Sequence, residues 1–168
     1  MIKVALLLCI FCLSFSISSQ TFNFGLNSYS FLNSMYSARS AGLGSNLITV
    51  SDNDIGLTVE NPSLLNEDHV RSFELNQALL PSGVHVGMLC YAFKSKFGLF
   101  SPVLRFQNYG SFSGTDELGN ATNNFSAIDY SMGMNYSHSI GKTIKIGAGM
   151  YIIGSHLEAY SSLGIHST

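Results

Sequence analysis

The stretch AIDYSMGMNYSHSI, residues 127–140, decides the fold. Tyr130, Met132, Met134, Tyr136, His138 and Ile140 share one parity; Asp129, Ser131, Gly133, Asn135, Ser137 and Ser139 share the other. A β-strand sends alternate side chains to opposite faces, so this strand has one large, mostly apolar face and one small, polar face. Tyr130 and Tyr136 bound the apolar face, as an interfacial aromatic girdle would place them. A soluble sandwich would turn the large face into its core. An outer-membrane barrel would turn it to lipid and the small polar face to the lumen.

The pattern extends outward in both directions. After a turn at Gly141-Lys142, Ile144, Ile146, Ala148, Met150 and Ile152 share one parity, and Lys145, Gly147, Gly149 and Tyr151 the other. Residues 154–165 hold one more strand. Upstream, strands are predicted over 73–80, 84–93 and 97–109, with turns at Pro81-Ser82-Gly83 and Lys94-Ser95-Lys96. Pro102 cannot donate to a ladder and marks a bulge or break. Residues 110–124 form a longer loop, a hairpin tip with short strands. Soluble strands usually run about 5–6 residues and membrane strands about 9–11; the two strands after residue 126 are of the longer kind. Length, alternation and few charges together predict an all-β chain, an antiparallel outer-membrane β-barrel. Only helices and closed barrels satisfy every backbone polar group inside a bilayer. Residues 72–168 hold about six or seven strands, whereas single-chain bacterial barrels begin at eight, and Thr168 is not the terminal aromatic such barrels commonly carry. The expectation is therefore an open sheet, the incomplete N-terminal part of a barrel. Lys145 and Asp129 share the small faces and are expected to point into the lumen and pair there.

The first twenty residues, MIKVALLLCIFCLSFSISSQ, read as a cleaved secretory leader. Lys3 supplies the basic start, 4–15 the apolar run, and 16–20 a small, polar exit. Cys9 and Cys12 leave with it, and Leu8 and Phe11 stand where a lipoprotein signal needs a small residue. Cys90 then remains alone and reads as a small apolar strand residue, not half of a disulfide. Residues 21–70 form a short irregular and helical N-terminal segment, packed within or beneath the barrel of residues 71–168. In that segment 37–41 makes a helical turn stopped by Gly42 and Gly44, 47–50 a short strand, and 51–54 a turn. A short helix follows over 62–67, with Asn61, held extended by Pro62, as its cap.

Composition excludes several functions. Only 11% of residues are charged, against about a quarter in soluble domains, and net charge is −2. The basic residues are dispersed, so phosphate neutralisation on a nucleic acid has no footprint. No hydrolase, zincin, P-loop or dinucleotide fingerprint occurs; Gly42-Leu43-Gly44 lacks both the third glycine and a leading strand. Asp52, Asn53 and Asp54 are oxygen-rich, but Gly56 and Glu60 miss the offsets of a calcium loop, so a solvated turn is expected. His69, His85, His138, His156 and His166 lie at no metal-ligand spacing and read as surface or interfacial polarity. No catalytic residue, cofactor or metal is expected.

Several ordered motifs carry a resemblance. Phe31-Leu32 opens the region. Ser37-Ala38-Arg39 leads to Leu43-Gly44, and Val50 leads through Asp52-Asn53-Asp54 to Ile55. Asn61-Pro62-Ser63-Leu64-Leu65-Asn66 makes a turn. Later come Asn108-Tyr109-Gly110, the loop 115–120, and the run 125–130 ending in Asp129-Tyr130. This set resembles the PorQ family, outer-membrane proteins of the type IX secretion system of Bacteroidetes. Ser63 departs from the Ala that many relatives of this barrel superfamily carry, and family members are considerably longer. The resemblance implies an outer-membrane barrel, distantly similar to fatty-acid transporters, embedded in lipid. It further implies a non-catalytic place in the complex that attaches exported proteins to the cell surface, with PorU-, PorV- and PorZ-like partners; catalysis there belongs to the PorU-like peptidase. Two other functions fit the same residues: transport of hydrophobic small molecules, and a secreted β-sandwich interaction module.

Overall fold

The computed structural model describes residues 29–44, 47–50, 52–115, 118–141, 144–158 and 160–168. The leader expected over 1–20, the loop acids Asp116 and Glu117, and Lys142 lie outside them. Seven strands build one antiparallel sheet: β1 (Phe73–Leu79), β2 (His85–Tyr91), β3 (Phe93–Ser95), β4 (Gly98–Phe112), β5 (Phe125–Ile140), β6 (Ile144–Leu157) and β7 (Tyr160–Ser167). Their order is β1-β2-β4-β5-β6-β7, with β3 also on β4. The sheet does not close on itself; β1 and β7 are its edges. The chain is therefore all-β and antiparallel, with its strands where the alternation places them.

Pro102 acts on its neighbour. It stays inside β4, opposite Met134, and the break falls across from it, where β2 ends at Tyr91 and β3 begins at Phe93. With no N–H to give, Pro102 leaves that rung of the ladder unmade. The bulge in β4 lies further on, between Asn108 and Ser111, where Gly110 takes φ +86, a value that side-chain-bearing residues avoid. The isolated bridge Thr115–Ala121 marks the hairpin tip in the long loop.

The N-terminal segment lies on one face of the sheet. Helix α1 (Ala38–Gly42) is capped by Ser37, whose Oγ accepts from the Ser40 N–H at 3.3 Å. A 3-10 turn over Ile55–Val59 is capped by Asp54, which accepts from Gly56 N–H at 3.0 Å. The helix expected over 62–67 is two shorter turns, Pro62–Leu64 under Asn61 and Glu67–His69 under Asn66; Leu65 between them is extended so that its side chain reaches the core. Residues 47–50 form a turn, not a strand: the Asn61 Nδ2 donates to the Ile48 carbonyl at 2.7 Å. His69 is buried, against the expectation of surface polarity. Its Nδ1 accepts from the Asn66 N–H at 3.2 Å, so the other nitrogen carries the proton and donates to the Asp52 carbonyl at 2.7 Å. Ile55 and Leu65 meet Met88, Cys90, Val103 and Tyr151 in the core. Cys90 is thus the buried small residue expected of it.

Candidate functional site

The two faces of the sheet differ in kind. The covered face carries Val86, Met88 and Cys90 from β2, Ser101, Val103 and Arg105 from β4, Ala127, Ser131, Asn135 and Ser137 from β5, and Tyr151 and Ile153 from β6, all buried. The other face carries Leu75, Leu104, Met132, Met134, Ile146, Met150, Ile152, Leu163 and Ile165, all exposed. Every charged strand residue, namely Glu74, Lys94, Arg105, Asp129 and Lys145, falls on the parity of the covered face. In water the exposed positions should be the polar ones. Here large apolar side chains face out, while the charged residues and small polar ones such as Ser101, Ser131 and Ser137 share the covered face with the core residues Met88, Val103 and Tyr151.

Two aromatic rings on the outward face fit over glycines of the neighbouring strand. Tyr130 lies opposite Gly154 and Phe106 opposite Gly87. A Cβ at either glycine would collide with the ring. A ladder of rings also crosses the lower sheet: Tyr91–Phe93 at 6.4 Å, Phe93–Phe100 at 5.7 Å, and Phe100–Tyr136 at 5.1 Å.

On the covered face the chemistry centres on Arg105, which is 5% exposed. Its guanidinium carbon lies 5.7 Å from the Tyr36 ring centre and 5.0 Å from that of Tyr151. Its Nη2 donates to Ser131 Oγ at 3.3 Å. Arg105 Nε and Ser101 Oγ have no hydrogen-bond partner among the described residues. Cation–π attraction strengthens when the charge is desolvated, so the two rings replace part of the lost hydration. Tyr36 donates its hydroxyl proton to the Phe31 carbonyl at 2.9 Å; burial pushes its phenol above the usual range, and Arg105 opposes the rise. A cavity of about 160 Å³ over Arg105 is bounded by Ser34, Tyr36, Glu60 and His166. Nearby, Asn135 donates to the Thr58 carbonyl at 2.8 Å and accepts from the Tyr151 hydroxyl.

The motif residues fall into two groups. Phe31, Pro62, Leu64 and Leu65 are buried under the segment, and Leu32 lines the cavity over Arg105. Ala38 opens α1 after its Ser37 cap; Leu43 is exposed and Gly44 turns the chain at φ +88. Arg39 pairs with Asp52, and its guanidinium lies 3.8 Å from Asp54. The Asp54 N–H first, and Arg39 second, hold the Asp52 carboxyl below its usual range. The stability this adds is present above the ordinary carboxylate range and is lost as pH falls through the lowered pKa. Asn53 is exposed beside them. The second group is at the bulge. Asn108 accepts from the Gly110 N–H at 2.8 Å, and Tyr109 donates to Asp129 at 2.8 Å. Tyr130 stands apart from them on the outward face.

Asp129 and Lys145 do not meet. Lys145 lies opposite Ser139 and Asp129 opposite Ser155, so ten residues of strand, roughly 33 Å, separate them. Parity put both on one face, but antiparallel register put them at opposite ends. The Arg105–Tyr36–Tyr151–Asn135 cluster is not apparent from the motifs. The available signal was Arg105 itself, a cation with inward parity in a strand otherwise free of charge.

Gly147 sets how closely the segment packs. A Cβ there would run into the backbone of Pro62 and Ser63. Gly147→Val should therefore lift the Pro62–Leu64 turn off β6 and destabilise the chain by roughly 1–3 kcal/mol. Limited proteolysis of the segment measures this. Unchanged cleavage would mean that the turn is not seated on β6.

No helix of the described residues is long and apolar enough to cross a membrane, which bears on helices alone. No protein-family model, curated protein or solved structure matches the chain.

Proposed function

We propose that the chain is an exported outer-membrane β-barrel protein whose strands stand in the barrel wall, and that it is a non-catalytic subunit of the type IX secretion attachment complex. The observation that carries the membrane reading is the outward face, apolar through its middle, with its polar residues towards the strand ends and no Asp, Glu, Lys or Arg. A secreted β-sandwich would bury that face; here the face that is covered is the other one, which holds every charged strand residue. The secretion role rests on the motifs that resemble the PorQ family. It is supported by where those motifs lie: most are in the N-terminal segment, where Pro62 sits against β6 at Gly147 and Leu65 enters the core. A segment seated on the inner face suits a scaffold for PorU-, PorV- and PorZ-like partners better than an open conduit for hydrophobic small molecules.

Fractionation tests the first half: the protein should stay in the outer membrane through an alkaline carbonate wash. Release into the wash would end the barrel reading. Affinity capture of the intact protein from outer membranes tests the second half and should bring PorU- and PorZ-like partners with it. A deletion strain that retains its normal surface-attached cargo would sink the secretion role and leave the barrel standing.

A further inference from the structure

Arg105 is a buried cation whose hydrogen-bonding capacity the fold does not use up. A guanidinium carries N–H donors along its edges, has no acceptor, and keeps its charge at any ordinary pH. Ser131 Oγ takes one bond from Nη2, and Nε has no partner among the described residues. The Tyr36 and Tyr151 rings answer the charge, but they do not take the place of an oxygen acceptor. No carboxylate forms an ion pair with Arg105 among the described residues. Asp129, diagonal to it across β4 and β5, accepts from the Tyr109 hydroxyl. Glu60, on the wall of the cavity over Arg105, accepts from Ser40 Oγ at 2.6 Å and from the Leu47 N–H at 3.0 Å. A buried charge with open donors and no counter-charge is costly, so the arrangement favours an anion from outside the chain.

The cavity limits what that anion is. It encloses about 160 Å³, room for about five waters at roughly 30 Å³ each. Leu32, Val59 and Met88 give its wall an apolar part; Arg105, Glu60 and His166 give it a polar one. Glu60 disfavours a second negative charge on the ligand. We propose that the cavity binds a small monocarboxylate of about two to four carbons, with its carboxylate on the edge of the Arg105 guanidinium and its short chain against Leu32, Val59 and Met88. A carboxylate meets a guanidinium edge with parallel N–H···O bonds. The apolar wall favours it over inorganic phosphate, which carries more charge and no chain. The inference goes beyond the barrel and secretion readings, and the covered face is the same whether the outward face meets lipid or water.

Titration calorimetry on the folded full-length protein in detergent tests this. Propionate and butyrate should bind with a Kd on the order of 1 mM. Propionamide, which has the same shape and no charge, should bind at least about tenfold more weakly. Arg105→Gln should lose about tenfold or more in propionate affinity. A change at so buried a residue can prevent folding, so Leu32→Trp serves as a second variant. It leaves Arg105 in place, fills the cavity from the N-terminal segment, and should abolish binding. Folded wild-type protein that takes up no propionate would overturn the proposal. So would propionamide binding as well as propionate, or Leu32→Trp binding as well as the wild type, since either result puts the ligand elsewhere. Phosphate bound more tightly than propionate would overturn the carboxylate assignment. None of these outcomes bears on the barrel reading, which the carbonate wash decides separately.

Discussion

Arginine in place of Met132 is expected to destabilise the protein by about 2–4 kcal/mol in a bilayer, and by no more than about 0.5 kcal/mol in water. Met132 is 60% exposed at the middle of β5. Its outward neighbours are Leu104 on β4 and Ile152 on β6, so no carboxylate on this face can pair with the new charge. In lipid the guanidinium must reach an interface past several residues of apolar wall along the strand. In water it would simply be solvated, and replacing an exposed methionine would if anything raise solubility. Urea titration of folding into lipid vesicles, set beside titration in detergent-free buffer, reads the difference. A small effect in both settings would contradict a lipid-facing sheet.

The second large effect is expected at Asn135→Leu. Asn135 is fully buried: its Nδ2 ties the sheet to the segment at the Thr58 carbonyl, and its Oδ1 accepts from the Tyr151 hydroxyl within the sheet. Leucine fills a similar volume but leaves the Thr58 carbonyl and the Tyr151 hydroxyl without a partner. Each unsatisfied buried group costs about 1–3 kcal/mol, so roughly 2–5 kcal/mol should be lost in total. Much of it should appear as release of the N-terminal segment. Trypsin cleavage after Arg39 should accelerate strongly, whereas Ser139→Ala, an exposed change on the same strand, should leave it alone. A cleavage rate unmoved by Asn135→Leu would mean that this bond does not hold the segment down.

The strands were legible because period-two alternation is a local property, and residues 127–140 show it without interruption. The same parity argument places every charged strand residue on the covered face. Register was less accessible. Asp129 and Lys145 share a face, but only the pairing of β5 with β6 shows that they stand at opposite ends. Pro102 shows a related limit: its missing donor was legible, but the strand that would feel the loss was not. In the N-terminal segment the caps at Ser37, Asn61 and Asn66 arise from neighbouring residues. What those turns pack against does not, because burial of Phe31, Thr58 and His69 depends on a sheet that begins further along the chain. The Arg105 cluster brings together residues from four separate elements, and no spacing in the sequence announces such a meeting.

The two rings seated on glycines have a consequence for assembly. A face without charges has no ion pairs to choose among competing registers, and a run of similar apolar side chains would tolerate sliding. Tyr130 over Gly154 and Phe106 over Gly87 remove that freedom. A slip of two residues between β5 and β6 keeps the inside-outside pattern, yet it drives the tyrosine ring onto Ile152 or His156. The glycine then faces no ring and leaves a hollow. Each pair works like a key in its lock, so a wall that lipid alone would leave free to slide has one alignment in which both keys turn.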